Sequence, residues 1–217
     1  QESRGLGDVY KRQVYRTIMR QKLLFMQAPT GVGKTISTIF PAVKAVGEEL
    51  ADRIFYLTAK TITAAVAKET FALLEKNGYR AKTIQITAKE KLCPCDEMEC
   101  NPVTCPYAKG HFDRVNDAVF DLLHRCEMIE RDDILSQADR YTVCPFELCL
   151  DTASWCDNII CDYNYVFDPN VYLKRFFQEG IKGDYLFLVD EAHNLTIWSK
   201  EAGRCIALRF IRRISLL

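Results

Sequence analysis

Three groups of residues in this chain have the types and spacing to do chemistry. Ala28-Pro29-Thr30-Gly31-Val32-Gly33-Lys34-Thr35 directly follows the apolar run Leu23-Leu24-Phe25-Met26. Asp190-Glu191-Ala192-His193 follows a second run, Tyr185-Leu186-Phe187-Leu188-Val189. Between them lie Cys93, Cys95, Cys100, Cys105 and Cys144, each in a loop-like context. The groups suit three ligands: a polyphosphate, a hard cation and a soft metal.

In the first group, Gly31 and Gly33 let the backbone curl so that successive N–H groups, from Thr30 through Val32, point at one anion at a helix start. Lys34 is then placed to reach the β- and γ-phosphates of ATP, and the Thr35 hydroxyl to bind Mg²⁺. In the second group Asp190 ends an apolar strand, where its carboxylate can hold Mg²⁺ through water. Glu191 can polarise the attacking water, and His193 completes the catalytic string. Parallel strands put both groups at their carboxyl ends, where such sheets bind ligands.

The thiols of Cys93, Cys100, Cys105 and Cys144 have six, four and thirty-eight residues between them, and Cys93, Cys105 and Cys144 each precede a proline. A Cys-Pro step favours extended, sharply turned backbone. Four thiolates serve either Zn²⁺ or an iron–sulfur cluster. Zinc ribbons prefer paired knuckles of two to four intervening residues, so irregular spacing with one remote ligand fits a [4Fe–4S] cluster better, with zinc as the alternative. Cys95 and Cys149 are each placed to substitute for a neighbour. Cys126, Cys156, Cys161 and Cys205 read as buried apolar-face cysteines.

Composition bounds the rest. The chain has 217 residues, 48% of them hydrophobic and 27% charged, with zero formal net charge. That is enough apolar material for one domain carrying an insertion, and it gives no global electrostatic signature of nucleic-acid binding. Ten cysteines point to metal rather than disulfides in a reducing compartment. No 18-residue apolar run and no signal peptide are present, so the expected location is cytoplasmic, away from membrane. Residues 1–13 read as a disordered or non-native end. The stop at Leu217, only 24 residues past His193, suggests a truncated product.

The elements that must position these groups follow from pattern. Strands are expected at 23–27, 53–57 and 81–86, with helices at 34–49 and 61–77 between them. Pro41 should bend or interrupt the first helix. In the second, Ala65, Phe71, Leu73 and Leu74 should face inward, and Gly78 should end it. From Lys91 to about Val143 the pattern predicts no good strand and one amphipathic helix burying Phe112, Val115, Val119, Leu122 and Leu123. A helix after Cys144, a strand at 158–161, a Tyr-rich turn at 162–169, a helix at 171–177 and a strand at 184–189 follow, then a basic helix at 206–216. The fold class is therefore α/β, a parallel P-loop sheet with helices on both faces and an inserted, mostly helical unit. Expected boundaries are 14–87 and 166–217 for the ATPase domain and 88–165 for the insertion.

At this level of detail the chain resembles the first RecA-like ATPase domain of the XPD/DinG-like superfamily 2 DNA helicases, which carry an iron–sulfur domain before their DEAH box. The carrying residues are Ala28–Thr35, where alanine holds the place of the usual first glycine, the Thr58-Ala59-Lys60-Thr61 loop, and Lys91-Leu92-Cys93. Cys105-Pro106-Tyr107, Cys144-Pro145-Phe146, the string Ile-Cys-Asp-Tyr-Asn-Tyr-Val-Phe-Asp-Pro at 160–169, and Asp190–Asn194 complete the set. The resemblance implies an ATP-driven motor moving 5′ to 3′ on single-stranded or forked DNA and separating duplex at the cluster domain. It implies Cys93, Cys100, Cys105 and Cys144 as [4Fe–4S] ligands, and Thr58 and Thr61 in a loop touching the DNA backbone. It also implies a second ATPase domain supplying an arginine finger, and an arch domain, both missing from this chain. The adenine-reading glutamine has only Gln13 as a candidate.

Two competing classes remain. One is a zinc-stapled, nucleotide-sensing nucleic-acid-binding module that does not unwind; the other, a P-loop kinase, lacks a lid or substrate pocket. For a DNA groove, Lys89, Lys91, Lys109, Arg114 and Arg125 are the candidate cations, and Tyr107, Phe112, Tyr163 and Tyr165 the candidate stacking surfaces.

Overall fold

The computed structural model describes residues 2–27, 33–192 and 214–216. They fall into two compact units, one formed by residues 1–79 and 160–217 and the other by 80–159. Among the described residues no helix is long and apolar enough to cross a membrane.

The first unit is a parallel sheet with helices. Its elements are α1 (Glu2–Met19), β1 (Leu24–Phe25), α2 (Lys34–Gly47), β2 (Arg53–Leu57) and α3 (Thr61–Lys76). The second unit interposes β3 (Thr83–Gln85), α4 (Lys89–Leu92), α5 (His111–Arg125), β4 (Met128–Ile129), α6 (Arg131–Tyr141) and α7 (Pro145–Ala153). The chain then runs through β5 (Asn158–Cys161), α8 (Asn164–Phe167), α9 (Lys174–Phe177), β6 (Tyr185–Val189) and β7 (Ile214–Leu216). In the first unit the strands lie in the order β1-β7-β6-β2, all parallel, with Arg53 opposite Tyr185 and Leu57 opposite Val189. Both β2 and β6 are buried along almost their whole length, as strands covered on two faces must be.

Phe55 is the centre of that packing. Its ring meets Phe176, Phe177, Tyr185 and Phe187 at centroid distances of 5.2–5.4 Å. This aromatic cluster clamps β2 against β6 and α9, and so fixes the strand that ends at Asp190. On α2 the buried residues Ile39, Ala42 and Ala45 hold the helix together through Pro41, which stays inside it, so the expected interruption does not occur. Tertiary packing outweighs the single missing N–H.

Other expectations shift. Residues 2–13, within the end expected to be disordered or non-native, are helical in α1, which buries Val14 and Ile18 beyond them. The α3 helix turns Ala64, Ala67, Thr70 and Phe71 inward while Leu73 is 53% exposed, a rotation of the predicted face. Of the segment 206–216, expected to be helical, the described part, Ile214–Leu216, is a strand between β1 and β6. The helix expected at 171–177 is the short α9 alone.

The second unit is mostly helical. Predicted to hold one helix and no strand over 91–143, that stretch holds α5, α6 and the two-residue β4, which pairs in parallel with β3 inside the strand expected at 81–86. Val115, Val119 and Leu122 are buried as expected, but Phe112 is 84% exposed and His111 takes the inward position. Gln137 on α6 is fully buried with its amide satisfied. Its Nε2 donates to the Ala118 carbonyl (2.8 Å) and the Asp121 carboxylate (3.0 Å), while its Oε1 accepts from Arg125. Such a network fixes the register of α5 on α6. A capping box between Glu130 and Asp133 starts α6, and Pro145 at the first position starts α7.

Candidate nucleotide site and thiol-lined cavity

Because β1, β6 and β2 run parallel, the segments leaving them emerge on one side of the sheet. The segment after β1 leads to the phosphate loop, the one after β6 begins at Asp190, and the one after β2 is the Thr58–Thr61 loop. Ala28, Pro29, Thr30, Gly31, Val32 and His193 lie outside the described residues. Gly33 is in the left-handed region at φ 72° and caps α2 with its carbonyl, which accepts from the Ser37 N–H at 3.0 Å. A side chain there would be strained, so glycine is required. Lys34 and Thr35 form the first turn of α2, where the helix dipole favours anions.

Asp190 is anchored by its N–H on the Leu57 carbonyl (3.0 Å) and by the Tyr163 hydroxyl, which donates to its carbonyl. Burial raises its carboxyl pKa, the Glu191 N–H bonded to Oδ1 (3.0 Å) lowers it, the Glu191 charge raises it, and the Tyr56 hydroxyl and the Lys34 charge draw it back. Lys34 and Asp190, 156 positions apart by their numbers, therefore share one electrostatic site. The Tyr56 hydroxyl lies within hydrogen-bonding range of both Asp190 and Thr35, with strict geometry to neither. Tyr56 is 1% exposed, and burial, followed by the Asp190 charge, raises its pKa strongly. A buried hydroxyl shared in loose geometry between a carboxylate and a threonine fits a site built for a ligand with oxygen acceptors or bound water. These residues fit Mg²⁺ and a polyphosphate.

Glu191 has φ 48°, a left-handed conformation rare outside glycine, and its carboxylate pairs with Lys60 at 2.6 Å. Lys60 belongs to the Thr58-Ala59-Lys60-Thr61 loop. In that loop the Thr58 side chain is buried, accepts from the Lys60 N–H (3.3 Å) and meets Thr63, while Thr61 is exposed at the start of α3. Thr58 therefore stiffens the loop and Thr61 faces solvent.

In the second unit Cys93, Cys95, Cys100, Cys105 and Cys144 all line one cavity of about 30 Å³, with Lys89, Tyr107 and Pro145 among its walls. The Cys95 and Cys105 sulfurs are 4.0 Å apart, and Cys95 also reaches Cys93. The Lys89 ammonium sits against Cys100 and within the field of Cys144 and Cys93, which raises its pKa. Cys144 caps the N-terminus of α7. Burial raises its thiol pKa, while the Phe146 and Glu147 N–H groups point at the sulfur and lower it.

As the side chains stand, no three Cys, His, Asp or Glu among the described residues close on one point tightly enough to hold a single ion. The donor set nevertheless fits a four-thiolate group in kind. Soft sulfurs come from separate turns around one cavity, with a cation and helix N–H groups to offset their charge. Cys149 lies elsewhere, fully buried, its thiol on the Gln85 carbonyl and its pKa pushed up to about 11 by burial. That removes it as a substitute ligand; Cys95 stays. Cys156 and Cys161 are buried as expected, and Cys126 is half-buried.

Some of the candidate DNA-groove residues make contacts within the protein instead. Arg114 donates to three backbone carbonyls, those of Tyr141 (2.8 Å), Lys109 (2.7 Å) and Thr142 (2.6 Å). Arg125 pairs with Asp121 and Gln137, and Lys89 serves the thiols. Tyr163 is a core residue under Asp190 rather than a stacking surface. Sequence reasoning missed Tyr56, Lys60 and His111 as site residues. His111 is buried, accepts the Cys144 N–H on Nδ1 at 3.2 Å, and holds its Nε2 3.8 Å from the Asp151 carboxylate. Only the position of Lys60 inside a recognised loop could have singled it out; for Tyr56 and His111 the sequence carries no signal.

The profile of the DEAD_2 family matches residues 65–205. A solved structure titled XPD helicase matches over 91% of this chain and 34% of its own, at TM-score 0.62 and 18% identity. One titled truncated XPD matches over 88% of this chain and 54% of its own, at TM-score 0.58 and 17% identity. This chain thus spans between a third and about half of those proteins. The likeness at these identities is one of fold, an α/β architecture built on a parallel sheet. No curated protein matches the sequence.

Proposed function

Because the chain belongs to the DEAD_2 family of XPD-type helicase domains, we propose that it is the first ATPase domain of an ATP-dependent DNA helicase. On this reading it moves 5′ to 3′ on single-stranded DNA, with a second ATPase domain of the same parent chain closing on the nucleotide. The cysteine-bearing unit stands at the strand-separation point. The observation that carries the reading is that Asp190 lies within reach of both the Lys34 charge and the buried Tyr56 hydroxyl, which also reaches Thr35.

Each residue has a role that follows from its chemistry. Lys34 would neutralise phosphate charge at the head of α2, and Thr35 and Asp190 would hold the magnesium. Magnesium, when bound, screens the phosphate oxygens against the incoming nucleophile. Glu191 would orient the attacking water, its carboxylate held by Lys60. Lys60 sits two residues from Thr58 and next to Thr61, in the loop proposed to touch the DNA backbone. Cys93, Cys100, Cys105 and Cys144 would hold a [4Fe–4S] cluster, which supplies a rigid four-point crosslink for the loops of the inserted unit.

A second reading rests on one distance. The 4.0 Å between the Cys95 and Cys105 sulfurs is near the roughly 3.8 Å edge of a tetrahedron with ~2.3 Å zinc–sulfur bonds. It favours a zinc-stapled nucleotide sensor. Anaerobic purification separates the two. Brown protein with charge-transfer absorption and about four irons per chain supports the cluster, and a colourless protein with one zinc rejects it. A fluorescent ATP analogue with Mg²⁺ should bind wild type, and Lys34→Ala should lose that binding by at least about tenfold. Equal binding by Lys34→Ala would reject the nucleotide site.

A further inference from the structure

Four sulfurs satisfy a [4Fe–4S] cluster, yet five line this cavity. We infer that Cys95 is a reserve ligand for the position assigned to Cys105, so that the cluster survives loss of the Cys105 sulfur and not loss of Cys100 or Cys144. The inference rests on the cluster reading above.

The geometry singles out one exchange. Cys95 and Cys105 are 4.0 Å apart, sulfur to sulfur. A single rotamer change moves a cysteine sulfur by roughly 3 Å, so Cys95 can take the place of Cys105 with little movement of the backbone. Cys144 stands at the N-terminus of α7 with its N–H donated to His111, and Cys100 sits against Lys89. Cys95 also reaches Cys93, one proline before it. Cys149 and Cys126 do not line the cavity. Both Cys95 and Cys105 are half-buried, which leaves whichever sulfur is unused open to reagent.

Iron and acid-labile sulfide per chain, with visible absorption, test this on anaerobically purified protein. Cys95→Ser should match wild type. Cys105→Ser should keep at least about half of the wild-type iron. The Cys95→Ser/Cys105→Ser pair should fall at least about fivefold below Cys105→Ser, as should Cys100→Ser. A Cys105→Ser protein as empty as the double variant overturns the inference, and so does an empty Cys95→Ser protein beside a full Cys105→Ser one. Wild type without iron defeats the cluster reading itself, a different result. Alkylation of wild type keeps the test independent of variant folding. With cluster bound, mass spectrometry should find Cys95 modified and Cys93, Cys100, Cys105 and Cys144 protected; modified Cys105 with protected Cys95 refutes the assignment.

Discussion

Replacing Arg114 by alanine tests how the cysteine cavity is held. The guanidinium ties the Lys109 carbonyl, at the end of the Cys105 loop, to the Tyr141 and Thr142 carbonyls just before Cys144. It thus joins two of the segments that carry cavity thiols. Hydrogen bonds from a charged donor contribute about 1.5–3 kcal/mol each, and partial solvent exposure brings these nearer 1 kcal/mol. Three such bonds make about 3 kcal/mol. For a chain of this length that corresponds to a fall in Tm of about 6–12 °C. Arg114→Lys presents its donors from one point and can reach only one of the three carbonyls, so it should recover about a third of the loss. Thermal unfolding followed by circular dichroism gives the stability, and metal analysis of the same samples gives cavity integrity. A Tm within about 3 °C of wild type with unchanged metal content would refute the reasoning. It would mean that Arg114 is a solvated cation available to a nucleic acid after all. Gly110→Ala should act on the same contact, because Gly110 has φ 67° and an added Cβ would stand 2.6 Å from the Arg114 guanidinium.

Three further outcomes follow from the packing. His111→Ala removes the acceptor for the Cys144 N–H and a buried ring, and should cost about 2–4 kcal/mol; chelator challenge should strip metal faster than from wild type. Phe55→Ala empties the centre of the β2–β6 aromatic cluster and should cost about 3–5 kcal/mol in denaturant titration, with Phe55→Leu clearly milder. Tyr56→Phe removes a buried hydroxyl that meets Asp190 and Thr35 only in loose geometry, so the free protein should stay within about 1 kcal/mol of wild type. Its Mg²⁺-dependent nucleotide affinity should fall; a stability loss above about 1 kcal/mol would show the hydroxyl to be bonded.

Asp190 shows where sequence reading succeeds. Its strand is a run of five apolar residues, and its chemistry is a carboxylate at a strand end, both local properties. The same holds for β2 and β5, found at 53–57 and 158–161 as expected, and for the cysteine loops with their prolines. Periodicity fared less well with phase. A helix repeat of 3.6 residues constrains which spacing is buried but not which face, so Phe112 and Leu73 point outward while His111 and Thr70 point in. Of the shortest strands, β1 and β3 fall inside the strands expected at 23–27 and 81–86, whereas β4 and β7 lie outside every expected strand and are made strands by hydrogen bonds to their neighbours.

What the sequence determined alone was the alternation of strands and helices, the phosphate-loop and DEAH residues, and a thiol set too concentrated for a core. Only the tertiary structure decided that Cys95 and not Cys149 faces the cavity. It also turned Arg114 and Tyr163 inward and paired Lys60 with Glu191. The reason is range. Backbone pattern and residue chemistry act over a few positions, whereas charge pairs, buried hydroxyls and sulfur neighbours are set by contacts between segments tens to more than a hundred residues apart, which no local window contains.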